Sequence, residues 1–251
     1  MSRVIAVANQ KGGVGKTTTS INLAASLGRS GKRVLLIDLD PQGNASMGSG
    51  VADHEGHSIY DVLLNGAGVA DAAVPLPHGY DLLPGHGDLA GAELELISVA
   101  RRERRLAEAL ALVAGRYDFV YIDCPPALNL LTVNALVAAD AVMIPMQCEY
   151  YALEGLTALL ATVRRVREGL NPALGIDGLL RTMFDPRNGL ALEVSDQLSR
   201  HFGSKLFQTI IPRNVRLAEA PSYGKPVIDY DRFSKGSQAY MALAEEVLAR
   251  A

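Results

Sequence analysis

The chain has 251 residues, 49% of them hydrophobic and 20% charged, with a formal net charge of −3. This is ordinary for a soluble globular protein with a large core, and the length suits one α/β domain spanning residues 1–251. No stretch of about 18 residues is free of charges and turn formers, which argues against a spanning helix, and the first residues lack the order of a signal peptide. Two cysteines, Cys124 and Cys148, cannot make a disulfide framework and fit a reducing cytoplasm. They are either small core hydrophobes or a metal or cluster pair.

Val4–Ala8 reads as the first buried strand. It ends at Asn9, and Gln10-Lys11-Gly12-Gly13-Val14-Gly15-Lys16-Thr17 follows. A helical pattern then runs over Thr17–Ser30 and is closed by Gly31. Glycines in such a loop let backbone N–H groups turn inward toward phosphate oxygens. The helix N-terminus adds unpaired donors and partial positive charge. Lys16 is placed to neutralise the β- and γ-phosphates of ATP, the Thr17 hydroxyl to ligate Mg²⁺, and Thr18 to contact the α-phosphate. The usual first glycine of the motif is Gln10 here, and a second lysine, Lys11, stands at the front of the loop.

Val34–Ile37 is the second strand and runs into Asp38-Leu39-Asp40-Pro41-Gln42-Gly43-Asn44. Side chains alternate on an extended chain, so Asp38 and Asp40 point the same way. Asp40 is the candidate to polarise the attacking water, and Asp38 to support Mg²⁺ and its waters. The alternative for Asp40 is an Asx turn before Pro41. Val51–Gly91 is rich in Gly and Pro and reads as a surface excursion, with a short helix at Ser58–Leu64 in which Ser58 and Asp61 can form a capping box.

A helix over Arg101–Ala114, closed by Gly115, precedes a third strand at Phe119–Ile122. Asp123 follows that strand, where the Mg²⁺-water carboxylate of a phosphate-loop enzyme belongs. Further on come a helix at Leu130–Ala139, a strand at Ala141–Pro145, a helix at Ala152–Glu168 closed by Gly169, a strand at Ile176–Met183, a helix at Leu190–His201 and a weaker strand at Leu206–Ile211. Continuous apolar strands alternating with helices predict an α/β fold: a phosphate-loop NTPase with a mostly parallel, twisted sheet and helices on both faces. Ligands in such sheets bind beyond the C-terminal strand ends.

From Arg181 to Lys235 nine Lys/Arg (Arg181, Arg187, Arg200, Lys205, Arg213, Arg216, Lys225, Arg232, Lys235) stand against six acids (Asp185, Glu193, Asp196, Glu219, Asp229, Asp231). This local excess marks either a nucleic-acid face or a solvated surface.

Lys11-Gly-Gly-Val-Gly-Lys-Thr17, Asp38-Leu-Asp-Pro-Gln-Gly-Asn44 and Asp123-Cys-Pro-Pro126 together resemble the deviant Walker A ATPases, and within them the ParA/Soj partitioning ATPases. The likeness continues through Gln147-Cys-Glu-Tyr-Tyr-Ala-Leu-Glu-Gly155 and Ile211-Pro-Arg-Asn-Val-Arg-Leu-Ala-Glu-Ala-Pro221, so it spans nearly the whole chain. The sequence shows no DNA-binding extension before the first strand, as in the short Soj-type members. The resemblance implies an ATP-sandwich homodimer in which Lys11 crosses to the partner's phosphates. It implies Asp40 as the catalytic aspartate and Asp123 as the Walker B acid, with Pro212 and Asn214 beside the adenine. It also implies nonspecific binding of double-stranded DNA in the ATP state. Arg187 and Arg216 match DNA-contacting positions of Soj-like proteins, and Lys225, Arg232 and Lys235 are further candidates by charge. Hydrolysis is expected to be slow alone and stimulated by a ParB-type partner, in a cytoplasmic, nucleoid-associated protein. Two alternatives share the loop. A MinD-like membrane-surface ATPase would need a basic amphipathic C-terminal helix, whereas Ala242–Ala251 carries two acids and one arginine. An iron-sulfur reductase would need both cysteines at cluster-ligating sites.

Overall fold

Strands that are apolar along their whole length need cover on both faces, and the fold supplies it. The computed structural model describes residues 2–52, 54–150 and 152–250. In chain order the elements are β1 (Arg3–Val7), α1 (Lys16–Arg29), β2 (Val34–Asp38), α2 (Asn44–Gly48), α3 (Val69–Ala72), β3 (Val74–Pro75), β4 (Asp81–Leu83), α4 (Leu89–Leu96), α5 (Arg105–Ala111), β5 (Phe119–Asp123), α6 (Leu130–Ala138) and β6 (Ala141–Gln147). They continue with α7 (Ala152–Gly169), β7 (Gly175–Phe184), α8 (Gly189–Phe202), β8 (Leu206–Pro212), α9 (Val215–Glu219), α10 (Val227–Tyr230) and α11 (Lys235–Arg250).

The strands form one eight-stranded sheet in the order β3-β4-β2-β5-β1-β6-β7-β8. Every pairing is parallel except that of β3 with β4 at the edge. Alternation along the central strand divides the core. Ile5 and Val7 face a layer with Leu23, Leu27, Tyr240 and Leu243 of α1 and α11, while Ala6 joins Leu131, Leu136 and Leu159 of α6 and α7 on the other side. The chain leaves β1 for β2, and β5 later fills the place between them. The C-terminal ends of β1, β2 and β5 therefore lie side by side, with Val7 and Asp38 both in register with Asp123. This is where an open α/β sheet forms its ligand crevice.

Several expectations need correction. The excursion at Val51–Gly91 is not all surface: Leu82 and Leu83 are fully buried, and β4 extends the sheet beside β2. A three-residue strand is too short to show a period. The helix expected over Arg101–Ala114 is a 3₁₀ turn, Arg102–Arg104, followed by the shorter α5. Gly31 and Gly115 are left-handed as expected, but Gly169 has no positive φ and ends α7 from within the helix. Half of the Ser58–Asp61 box forms, with the Ser58 N–H donating to Asp61 Oδ2 at 2.9 Å, while the Ser58 hydroxyl accepts the Tyr60 N–H at 3.2 Å in place of that of Asp61. Cys124 and Cys148 are 1% and 6% exposed and belong to the core. Burial pushes both thiols up, Cys148 to about 11. α2, α3, α4, α9, α10 and α11 have no counterpart among the sequence-read elements. Most are only a turn or two long, and α11 lies at the end of a charged, weakly periodic stretch.

Candidate nucleotide-binding site

The phosphate loop begins where β1 stops. Asn9, 7% exposed, donates from its side-chain amide to the Pro145 carbonyl (2.8 Å) and accepts the Lys11 N–H (3.0 Å), which ties the loop entry to β6. Gly13 and Gly15 have φ of +72° and +87°, a region in which only glycine is unstrained. A Cβ built on Gly12 or Gly13 meets no atom within 4 Å, so the backbone there borders open space. That space is a cleft of about 580 Å³, lined by Gly12, Gly13, Gly15, Lys16, Thr17, Thr18, Ile21, Asp40, Gln42, Asn44, Met47, Gly48, Pro126, Met183, Pro221 and Ser222. α1 opens at Lys16 with no side-chain cap, which leaves its first N–H groups for a ligand.

Lys16 is 7% exposed, and its ammonium donates to the Lys11 carbonyl at 3.3 Å. Burial lowers its pKa, and the carboxylates of Asp123 and Asp40 oppose the shift. Thr17 donates its hydroxyl to Asp123 Oδ2 at 2.7 Å, and Ser20, one helical turn on, donates to Asp123 Oδ1 at 2.9 Å. Asp123 is fully buried, and desolvation raises it to about 6 against these hydrogen bonds. A hydroxyl and a carboxylate at 2.7 Å are hard oxygen donors of the kind Mg²⁺ prefers.

The two β2 acids separate in role. Asp38 is fully buried: Oδ2 accepts the N–H and hydroxyl of Ser46 (2.7 Å each), and Oδ1 accepts the Asp40 N–H (3.3 Å). Ser46 in turn accepts the Gly85 N–H at 3.0 Å. Asp38 therefore anchors α2 to β2 and to the loop after β4, and it does not line the cleft. Burial, then repulsion from Asp123, raises it to about 7. Asp40 does line the cleft, and its Oδ1 accepts the Gln42 N–H at 3.0 Å. The Asx turn and the cleft position, weighed as alternatives in the sequence, occur together.

These acids predict the pH response of the ligand-free chain. A carboxyl raised on folding makes the folded state bind the extra proton, so its ionisation costs stability above the folded pKa and the cost fades toward the ordinary value near 4. Stability should rise as pH falls from 8 through the window between about 7 and 5. Below about pH 4 it should drop, as Asp118 and Asp185, both held down to about 2 by arginine hydrogen bonds, take up protons. Thermal midpoints measured without nucleotide or Mg²⁺ check this, and a midpoint that falls steadily from pH 8 to 5 contradicts it.

Lys11 does not enter its own cleft. Its ammonium pairs with Glu149 Oε2 at 2.5 Å, and the two side chains are 40% and 49% exposed. So exposed a pair contributes about 0–1 kcal/mol and is exchanged cheaply for another partner. Tyr151 of the same motif lies outside the described residues. Pro212 closes β8, and the Asn214 side chain caps α9 by accepting the Arg216 N–H at 3.1 Å. Neither lines the cleft, whose far wall is Met183, Pro221 and Ser222.

The basic segment is less free than its composition implied. Arg181 is buried at 7% exposure, donating to the Ser195 hydroxyl and the Phe207 carbonyl. Arg187 pairs with Asp185 (2.7 Å), and Arg216 with Glu219 (2.7 Å) and Asp231 (3.4 Å). Lys225, Arg232 and Lys235 are exposed, and Arg232 lies over the Phe233 ring at 4.5 Å. Ser20, Ser46 and Ser222 escaped sequence reading, and Glu149 and Pro221 entered it only within the segments that carry the resemblance, because a side chain has no assignable partner until the fold brings one.

A Gly-rich loop between a central parallel strand and a helix, with Lys16, Thr17 and a strand-end acid converging on one cleft, defines a phosphate-loop ATPase. Residues 2–176 match the family model of the AAA domain. The chain is 55% identical to the chromosome partitioning protein ParA of Caulobacter vibrioides, over 99% of this chain and 94% of that protein. It is 53% identical to the sporulation initiation inhibitor protein Soj of Bacillus subtilis, over 99% of each. Among solved structures, cobyrinic acid a,c-diamide synthase of Mycobacterium smegmatis with bound ADP and magnesium superposes with a TM-score of 0.87 at 39% identity, over 100% of this chain and 95% of that one. The chain belongs to the ParA/Soj family of partitioning ATPases.

Proposed function

We propose that this single-domain ATPase works as an ATP-sandwich homodimer that binds double-stranded DNA without sequence preference in its ATP state and releases it on hydrolysis, so as to segregate a chromosome or plasmid. The observation that carries this reading is Lys11: a lysine on the phosphate loop that lies outside its own cleft, in an exposed pair with Glu149, is available to the phosphates of a second copy. The backbone of Gly12–Gly15, Lys16, Thr17 and Thr18 hold the triphosphate. Thr17 and Asp123 would hold Mg²⁺, directly or through water, and the ion would supply charge neutralisation at the β- and γ-phosphates. Asp40 orients the attacking water. Loss of the γ-phosphate removes what Lys11 and the Asp40 segment both hold, so the dimer loosens and its shared DNA face divides. Among the described residues that line the cleft none is an arginine. Slow turnover alone, and acceleration by a ParB-type partner that brings an arginine, follow from that.

DNA contact falls to Lys225, Arg232 and Lys235 directly, and to Arg187 and Arg216 after exchange of their carboxylate partners for phosphate. Such a protein is cytoplasmic and nucleoid-associated. A membrane-surface role is disfavoured because the apolar face of α11 (Tyr240, Leu243, Ala244 and Val247) is already buried at 1% exposure or less. DNA binding compared with no nucleotide, ADP, ATP, and ATP plus a ParB partner tests the reading. Binding should require ATP and weaken steeply with salt as counterions are released, and equal binding with ADP and ATP rejects it. Lys11→Ala should still bind ATP within a few-fold but lose ATP-dependent dimerisation by light scattering. Full dimerisation of that variant removes the crossing role.

A further inference from the structure

We propose that Thr182, at the end of β7, is a positioning residue that holds the phosphate loop in its ligand-ready shape, and that a left-handed corner at Met183 places it there. Thr182 is 2% exposed. Its hydroxyl donates to the Val14 carbonyl at 2.7 Å, and its Cβ and methyl lie 3.7 Å from where a Cβ on Gly15 would stand. A loop that turns N–H groups toward phosphate turns carbonyls away from it, and a buried carbonyl needs a donor. Val14 is 1% exposed, and Thr182 supplies that donor from a different strand, 168 residues along the chain.

The next residue explains the delivery. Met183 has φ +48°, and with Arg101 it is one of two non-glycine residues with positive φ among those described. An unbranched side chain tolerates this conformation only at a cost, and such strain concentrates where a site needs it. Successive side chains of a regular strand face opposite ways. Here Thr182 touches the loop while Met183 walls the same cleft, because the corner breaks the alternation. Gln147 on β6, the register partner of Thr182, donates to the Met183 sulfur and holds the corner from the other side.

The inference rests on the nucleotide reading of the cleft, and full-length variants separate the two. Thr182→Val keeps the shape and removes the donor, and Thr182→Ser keeps the hydroxyl. Titrated with a fluorescent ATP analogue and Mg²⁺, Thr182→Val should bind about tenfold more weakly, the effect of one buried carbonyl left without its donor. Its KM for ATP should rise in step while kcat stays within about threefold, and Thr182→Ser should restore both. A merely structural strap would lower the melting temperature of the ligand-free chain and leave the KM unchanged. Met183→Asn, which tolerates the left-handed region, should bind better than Met183→Val, which does not. The proposal is overturned if Thr182→Val binds as the parent does, if Thr182→Ser is as impaired as Thr182→Val, or if the two Met183 variants are equal. A parent chain that takes up no Mg-ATP would instead fail the nucleotide reading.

Discussion

Lys16→Ala is expected to bind Mg-ATP at least about 30-fold more weakly than the parent chain, because removing one partner of a buried charged contact costs about 2–5 kcal/mol. The lysine is 7% exposed, so its contact with phosphate is made largely out of water. It is also the cation that opposes the desolvation of Asp123. Without it the Asp123 carboxyl is raised further, and the Mg²⁺ donor set of Thr17 and Asp123 is weakened at neutral pH. Two losses therefore fall on one ligand. Calorimetric titration with a non-hydrolysable ATP analogue reads the effect, and binding within threefold of the parent would remove Lys16 from the site.

Asp40→Ala should leave nucleotide affinity within a few-fold and reduce hydrolysis by about 10²–10⁴, the range for losing a positioned general base. The assignment follows from what the three acids already hold. Asp38 accepts three hydrogen bonds from α2 and the backbone, away from the cleft. Asp123 accepts from Thr17 and Ser20. Asp40 lines the cleft, with Oδ1 accepting from Gln42. The variant should consequently persist as an ATP-bound dimer on DNA, seen as slowed dissociation after dilution. Phosphate release at the parent rate would show that another group orients the water.

The family resemblance and the order of the six longer strands were legible along the chain, because each rests on neighbours in sequence. A loop with Lys16 and Thr17 between a strand and a helix is a local pattern, and apolar runs bounded by glycines are another. The errors are equally physical. Asp38 and Asp40 share a side of an extended strand, which suggested that both reach the nucleotide, but Ser46, itself held by the Gly85 N–H, engages Asp38 from outside the strand. The nine cations between Arg181 and Lys235 looked like one property, yet Arg181 is inside the sheet layer and Arg187 and Arg216 face carboxylates.

By itself the sequence determined that this protein has a phosphate loop on a parallel sheet, since glycine spacing, strand period and helix opening act over a few residues. Only the tertiary structure decided which groups surround that loop. It set Thr17 and Ser20 on Asp123, Glu149 on Lys11, Thr182 on Val14, and Pro221 and Ser222 on the far wall of the cleft. All of these partners stand more than 100 residues apart along the chain, and hydrogen bonds of about 3 Å form only once the sheet order has brought the strand ends together.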